Sequence, residues 1–227
     1  MCFSATASFT AAAVLIPLGM YCIKDTISWD KTYIPFACYP LFFGIQQMIE
    51  GLIWQAKDNG LNAEITIYGF FFFSHLFWLF WVPFSVWIIE RNQQKKQMMF
   101  YSIFAGLIFG LSMYIPLYTN DNWFSIAITN HSISYKVILI YDRIMPRQIV
   151  QFIYTLIVVL PLLFTSVKII KRFGLMILMS IFLASYYFEY AFVSVWCYFS
   201  AILSSYLYFV LYQAKKIALN EIYPKVS

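Results

Sequence analysis

Charge is scarce in this chain. Only 11% of its 227 residues are Asp, Glu, Lys or Arg, where a soluble domain carries roughly a quarter. Histidine is nearly absent, with two residues, His75 and His131. The four cysteines, Cys2, Cys22, Cys38 and Cys197, form no C-x-x-C pair, which excludes a zinc ribbon or a thioredoxin-like motif. No H-E-x-x-H occurs, no internal repeat and no low-complexity tract. No basic stretch precedes the first apolar run, and Tyr21 is too large for lipoprotein cleavage before Cys22. The first run is therefore expected to stay on the chain as a helix.

What fills the space is apolar surface. Hydrophobic residues make up 62% of the chain, and they are gathered in long uncharged runs. A hydrocarbon layer of about 30 Å takes about 20 helical residues to cross. Seven runs approach that length, at about 5–23, 33–54, 65–89, 98–118, 149–167, 173–191 and 193–213. Helix is the expected state, because lipid offers no partner for open backbone groups. The fold class read from the sequence is an all-α integral membrane protein, one domain over 1–227, a bundle of about seven spans.

The net charge of +5 does not point to nucleic acid, because the basic residues stand in short clusters beside the apolar runs. Alternating spans place Lys24, Lys31, Arg91, Lys95, Lys96, Lys168, Lys171, Arg172, Lys215, Lys216 and Lys225 on one side. Only Lys57, Lys136, Arg143 and Arg147 fall on the other. The positive-inside rule then predicts the N-terminus outside and the C-terminus in the cytoplasm, with a bacterial inner membrane as the expected location. Between spans four and five lies an outer loop, 119–148, with an apolar run from Val137 to Ile140. A loop of that length with its own apolar segment is expected to cover the outer mouth as a lid or to lie in the interface.

Ionisable groups at membrane depth are costly, so they mark candidate sites. Glu50, His75, Glu189, Cys197, Cys2 and His131 all fall in the outer half of the bundle or beyond it under this topology. Gln46, Gln47 and Glu50 stand three or four residues apart, on one helix face. Trp78 follows His75 by three residues, and Trp196 adjoins Cys197. Glu50 and His75 are the candidate acid–base groups. Glu50, His75, Cys197 and Cys2 are the candidate ligands of a transition metal, zinc, iron or copper. Gln46, Gln47, Trp54, Trp78 and Trp196 are the expected lining of a pocket.

The segments MCFSATASF, QQMIEGLIW and SHLFWLFWVP, with Trp196–Cys197 near the end, resemble a family of uncharacterised bacterial membrane proteins, a domain of unknown function. The resemblance runs along nearly the whole chain and rests on Cys2, Ser4, Gln46, Gln47, Glu50, Gly51, Trp54, His75, Trp78, Trp196 and Cys197. It implies no activity. Hydrolases related to alkaline ceramidases hold zinc with three histidines, more than this chain has. Microbial rhodopsins need a lysine inside the last helix, and here the last span has none before Lys215, so no retinal is expected.

The functional expectation is a polar site in the outer half that binds a metal and acts on a lipid-like substrate. The alternative is a seven-helix receptor, or a proton-coupled transporter of a small ligand. A third reading is an accessory protein whose polar contacts serve packing alone. Expected partners are membrane lipids and a small hydrophobic ligand, with no nucleic acid. Gly106 and Gly110 form a G-x-x-x-G, which permits close helix approach and leaves a homodimer open.

Overall fold

The computed structural model describes residues 4–129, 132–188 and 192–222, with the backbone alone at 121, 129 and 218–222. Long helices follow the predicted runs closely. They are α1 (Ala5–Ile27), α3 (Tyr39–Asp58), α4 (Glu64–Phe71) continuing into α5 (Trp78–Ile89), α6 (Gln93–Thr119), α7 (Arg147–Phe164), α8 (Lys168–Tyr187) and α9 (Phe192–Ile222). A single turn, α2 (Ile34–Ala37), precedes α3. Ser4 starts α1 by accepting the Ala7 amide on its hydroxyl at 3.2 Å, and Asn92 does the same for α6 through the Lys95 amide.

Six of these helical segments are long and apolar enough to cross a membrane: α1, α4–α5, α6, α7, α8 and α9. The α3 helix falls outside that set because Gln46, Gln47, Glu50 and the polar end Gln55–Asp58 lower its hydropathy. It is nonetheless central. It packs on α1, α4 and α9 and buries Gln46, Gln47 and Glu50 completely.

Several boundaries differ from the sequence reading. The α3 helix runs Tyr39–Asp58 where 33–54 is expected, α6 begins at Gln93 and not 98, and α9 extends to Ile222. The sixth long helix starts at Lys168 and ends at Tyr187, earlier than the 173–191 expected. Lys168, Lys171 and Arg172 therefore lie in its first turns, where long aliphatic stems allow a cation to reach polar surroundings. Glu189, expected near its end, lies outside the described residues.

The connection 119–148 is no plain loop. It holds an antiparallel hairpin, β1 (Phe124–Thr129) and β2 (Ser132–Val137), with Phe124 opposite Val137 and Thr129 opposite Ser132. The hairpin is a small addition to a chain that is otherwise helical, so the all-α class fits. Ile133, Val137 and Leu139 are buried, and β2 packs on α9. Tyr135 stacks on Phe70 at 4.5 Å between centroids, and Phe124 meets Phe71 edge-on. The hairpin thus packs against α9 and the Phe70–Phe71 end of α4. The His131 position lies outside the described residues.

The packing of α6 shows how little of a helix this fold buries. Met99, Ile103, Gly106, Gly110, Met113 and Leu117 are buried, a single seam at steps of three and four. Ile108 and Phe104 on the other faces are 69% and 49% exposed. Gly106 and Gly110 lie inside the seam. A Cβ at Gly106 would fall on the Leu79 carbonyl, and one at Gly110 would stand 3.1 Å from the His75 carbonyl. The G-x-x-x-G is used within the chain, against the His75–Leu79 segment.

At the end away from the hairpin, the turns are tied by Glu90. Its carboxylate accepts the Ser166 amide at 2.6 Å, the Asn92 amide at 2.9 Å and the Thr165 hydroxyl at 3.0 Å. Burial by itself raises the Glu90 carboxyl. The amides of Ser166 and Asn92 and the hydroxyls of Ser166 and Thr165 outweigh it and hold the group below the ordinary carboxylate value.

Candidate functional site

The polar stripe of α3 meets α9 and the start of α5 in the interior. Glu50 Oε1 accepts the Ser194 hydroxyl at 2.6 Å, and Oε2 accepts Gln47 Nε2 at 3.2 Å. Gln46 works in both directions. Its Nε2 donates to Cys197 Sγ at 3.2 Å, and its Oε1 accepts Trp78 Nε1 at 2.8 Å. One amide thereby joins three helices. The Trp78 ring stacks on Phe43 at 3.9 Å, and Tyr39 meets its edge while bonding Ser85 at 2.6 Å.

His75 reaches the interior from an unusual turn. Residues Phe72–Phe77 form a π-helical segment between α4 and α5, closed by the Trp78 amide on the Phe73 carbonyl. Such a segment fits one residue more than an α-helix would into the same length, and often occurs at functional positions. Here it buries Ser74 and His75 side by side. The Ser74 hydroxyl donates to the Phe70 carbonyl at 3.0 Å and stands 2.8 Å from His75 Nδ1. With the hydroxyl proton so engaged, Nδ1–H is the donor of that contact, and in the neutral ring Nε2 is left with its lone pair.

Three adjoining cavities lead from the hairpin to the interior. The widest, about 490 Å³, lies beside β2 and has Ser134, Lys136, Arg147, Gln151 and Ser194 in its wall. It shares Arg147, Gln151, Phe192 and Val193 with a second cavity of about 90 Å³, whose wall includes His75, Ser74, Tyr154 and Thr155. That one shares Tyr154, Trp196 and Cys197 with a third of about 30 Å³, walled by Tyr39, Phe43, Trp78 and Phe173. Polarity falls along the series, from cations and hydroxyls to aromatic rings. Arg147 is fixed at the mouth by Asp142 and the Val137 carbonyl.

The predicted residues divide accordingly. Gln46, Gln47, Glu50, Trp78 and Cys197 come together in one network, and His75, Cys197, Trp78 and Trp196 line the cavities. Trp54 is buried but lines none of the three. Cys2 lies outside the described residues. The expected metal set is not assembled: among the described residues no three His, Cys, Asp or Glu side chains gather where one ion would be held. Glu50 already accepts from Gln47 and Ser194, Cys197 from Gln46, and His75 is paired with Ser74 instead.

Ser194, Tyr154 and Arg147 were not among the sequence candidates. Ser194 was within reach, since Ser194, Cys197, Ala201 and Ser204 repeat at three and four along α9 and are all buried. Tyr154 and Arg147 had no such signal in a helix rich in Ile, Val and Leu.

The buried Gln47 Oε1 has no hydrogen-bond partner among the described residues. It stands beside Glu50 as an acceptor that a ligand or water could satisfy.

No curated protein and no solved structure matches the chain. The family described as a family of unknown function, DUF6629, matches residues 1–221. The chain belongs to that family.

Proposed function

We propose that this protein is an integral membrane protein of seven spans, N-terminus outside, that takes an elongated, lipid-like ligand from the hairpin side into the bundle. The observation that carries the reading is the series of three cavities, cationic and hydroxylated at the mouth and aromatic at its inner end. That gradient suits a molecule with a polar or anionic head and an apolar tail. Membrane insertion is supported by the six apolar helices and by the exposed Ile108, Phe182 and Phe209, faces that water would drive together.

In this reading Glu50 and the Gln46–Trp78–Cys197 contacts hold the inner wall in place. His75 is the group that exchanges a proton with the ligand, since Ser74 fixes its ring and its Nε2 has no hydrogen-bond partner among the described residues. That role serves acid–base chemistry on a lipid-like substrate and proton-coupled movement of a ligand equally, so the choice between enzyme and transporter rests on what His75 does to a bound molecule.

Lipid analysis of protein purified in mild detergent tests the binding. Cys197→Trp fills the wall shared by the second and third cavities. A co-purifying apolar molecule near one per chain, lost in Cys197→Trp and kept in His75→Gln, is the expected result. Equal lipid content in wild type and Cys197→Trp would overturn it. Orientation is tested separately: a thiol at Gln93 should react from the cytoplasmic side and one at Asn59 from outside, in a chain otherwise free of cysteine.

A further inference from the structure

A second site lies at the opposite end, between α1 and α9. A cavity of about 350 Å³ opens there with Tyr21, Asp25, Tyr208, Tyr212, Lys215 and Lys216 in its wall, a size in the range of small-molecule sites. None of its residues belongs to the network around Glu50.

The charges in it are arranged, not merely collected. Lys215 Nζ is bonded to Asp25 Oδ1 at 2.6 Å, and the two side chains are 29% and 30% exposed. This pair holds the Lys215 stem across the groove and cancels one positive charge. Lys216 is exposed and has no ion-pair partner among the described residues. The lining therefore keeps one net positive charge. Three phenols supply further donors, with the Tyr21 and Tyr208 rings 5.9 Å apart. Towards mid-helix the groove continues into apolar surface: Met20 and Val14 on α1 and Phe209 on α9 are 58–61% exposed.

We infer that this groove seats the phosphate headgroup of an anionic phospholipid, with its acyl chains along the exposed faces of α1 and α9. The inference rests on the membrane reading above, because a headgroup meets this end only if the helices span a bilayer. A headgroup with a net negative charge matches the uncompensated Lys216. A zwitterionic headgroup brings its own cation and gains less. Basic pockets between helices at the cytoplasmic face are suited to such lipids.

The test is native mass spectrometry of the full chain released from detergent containing equal amounts of phosphatidylglycerol and phosphatidylcholine. Wild type should retain phosphatidylglycerol in preference. Lys216→Glu, an exposed change that leaves the Asp25–Lys215 pair intact, should reduce that preference about five-fold or more. Lys216→Arg should restore it. Lys168→Glu, on α8 at the same end, should leave it unchanged. Equal retention of both lipids by wild type, or an equal loss in Lys168→Glu, would overturn the inference. So would binding of glycerol phosphate without lipid, which would mark a soluble phosphate site. Failure of the membrane reading is seen separately, as release of the protein from membranes by alkaline carbonate.

Discussion

The Ser194 hydroxyl meets Glu50 Oε1 at 2.6 Å across 144 residues of sequence. This contact locks the last helix to the polar stripe of α3, in an interior where water does not compete. Glu50→Ala should strip acceptors from both Ser194 and Gln47 and lower stability by about 2–4 kcal/mol. Glu50→Gln keeps the shape and one acceptor, and should lose about half of that or less. Thermal unfolding in detergent, followed by Trp fluorescence, measures both. Equal midpoints for wild type and Glu50→Ala would show that the contact does not hold the bundle.

Gly106 allows α6 to lie against the Leu79 carbonyl. Gly106→Ala should force the helices apart and cost about 1–3 kcal/mol. Gly69→Ala is the matched control, since a Cβ there meets nothing nearer than 3.5 Å. The same unfolding assay should separate the two variants. Comparable midpoints would count against the close packing of α6.

Glu90 ties the α5–α6 turn to the α7–α8 turn, and its carboxyl titrates below the ordinary value near 4.5. The folded state thus favours the ionised form more than the unfolded chain does. The resulting stability is fully present above the unfolded value and is lost as pH falls through the folded one. Wild type should lose stability on acidification below about pH 4.5, with other carboxylates adding to the slope. Glu90→Gln should be less stable at pH 7 and show a shallower acid dependence. Parallel pH profiles for the two proteins would contradict this role.

Elemental analysis of protein never exposed to chelator addresses the metal expectation. With Glu50, His75 and Cys197 each engaged by neutral partners, zinc, iron and copper should stay well below one per chain. They should also be unchanged in Glu50→Ala and His75→Ala. One equivalent of metal, lost in both variants, would mean that the site rearranges around an ion and recruits a ligand such as Cys2.

The helices were legible because long uncharged apolar runs without turn signals favour helix. The inward face of α3 was legible because Gln46, Gln47 and Glu50 stand three and four residues apart on one face. Their partners were harder to find. Cys197 was marked by its chemistry, whereas Ser194 is one serine among many until α9 is set against α3. The hairpin was missed because 119–148 mixes polar residues with short β-branched runs, and its pairing depends on a register that composition does not reveal. The π turn left no trace either: FFSHLF reads as plain helix, and the widening is visible only in the backbone.

That turn has a consequence for how the protein could change over time. A π segment is a local surplus of one residue, absorbed without turning the helices on either side. Removing one residue, Phe72 or Phe73, should let the rod close into regular α geometry with α4 and α5 still facing their neighbours. What it would forfeit is the inward placement of the Ser74–His75 pair. A single-codon deletion there is expected to give a chain that still folds and unfolds cooperatively but has lost its His75 wall, and a collapse of that variant's thermal transition would refute the expectation. The scaffold and the buried Ser74–His75 pair would then be separable by the smallest of genetic changes.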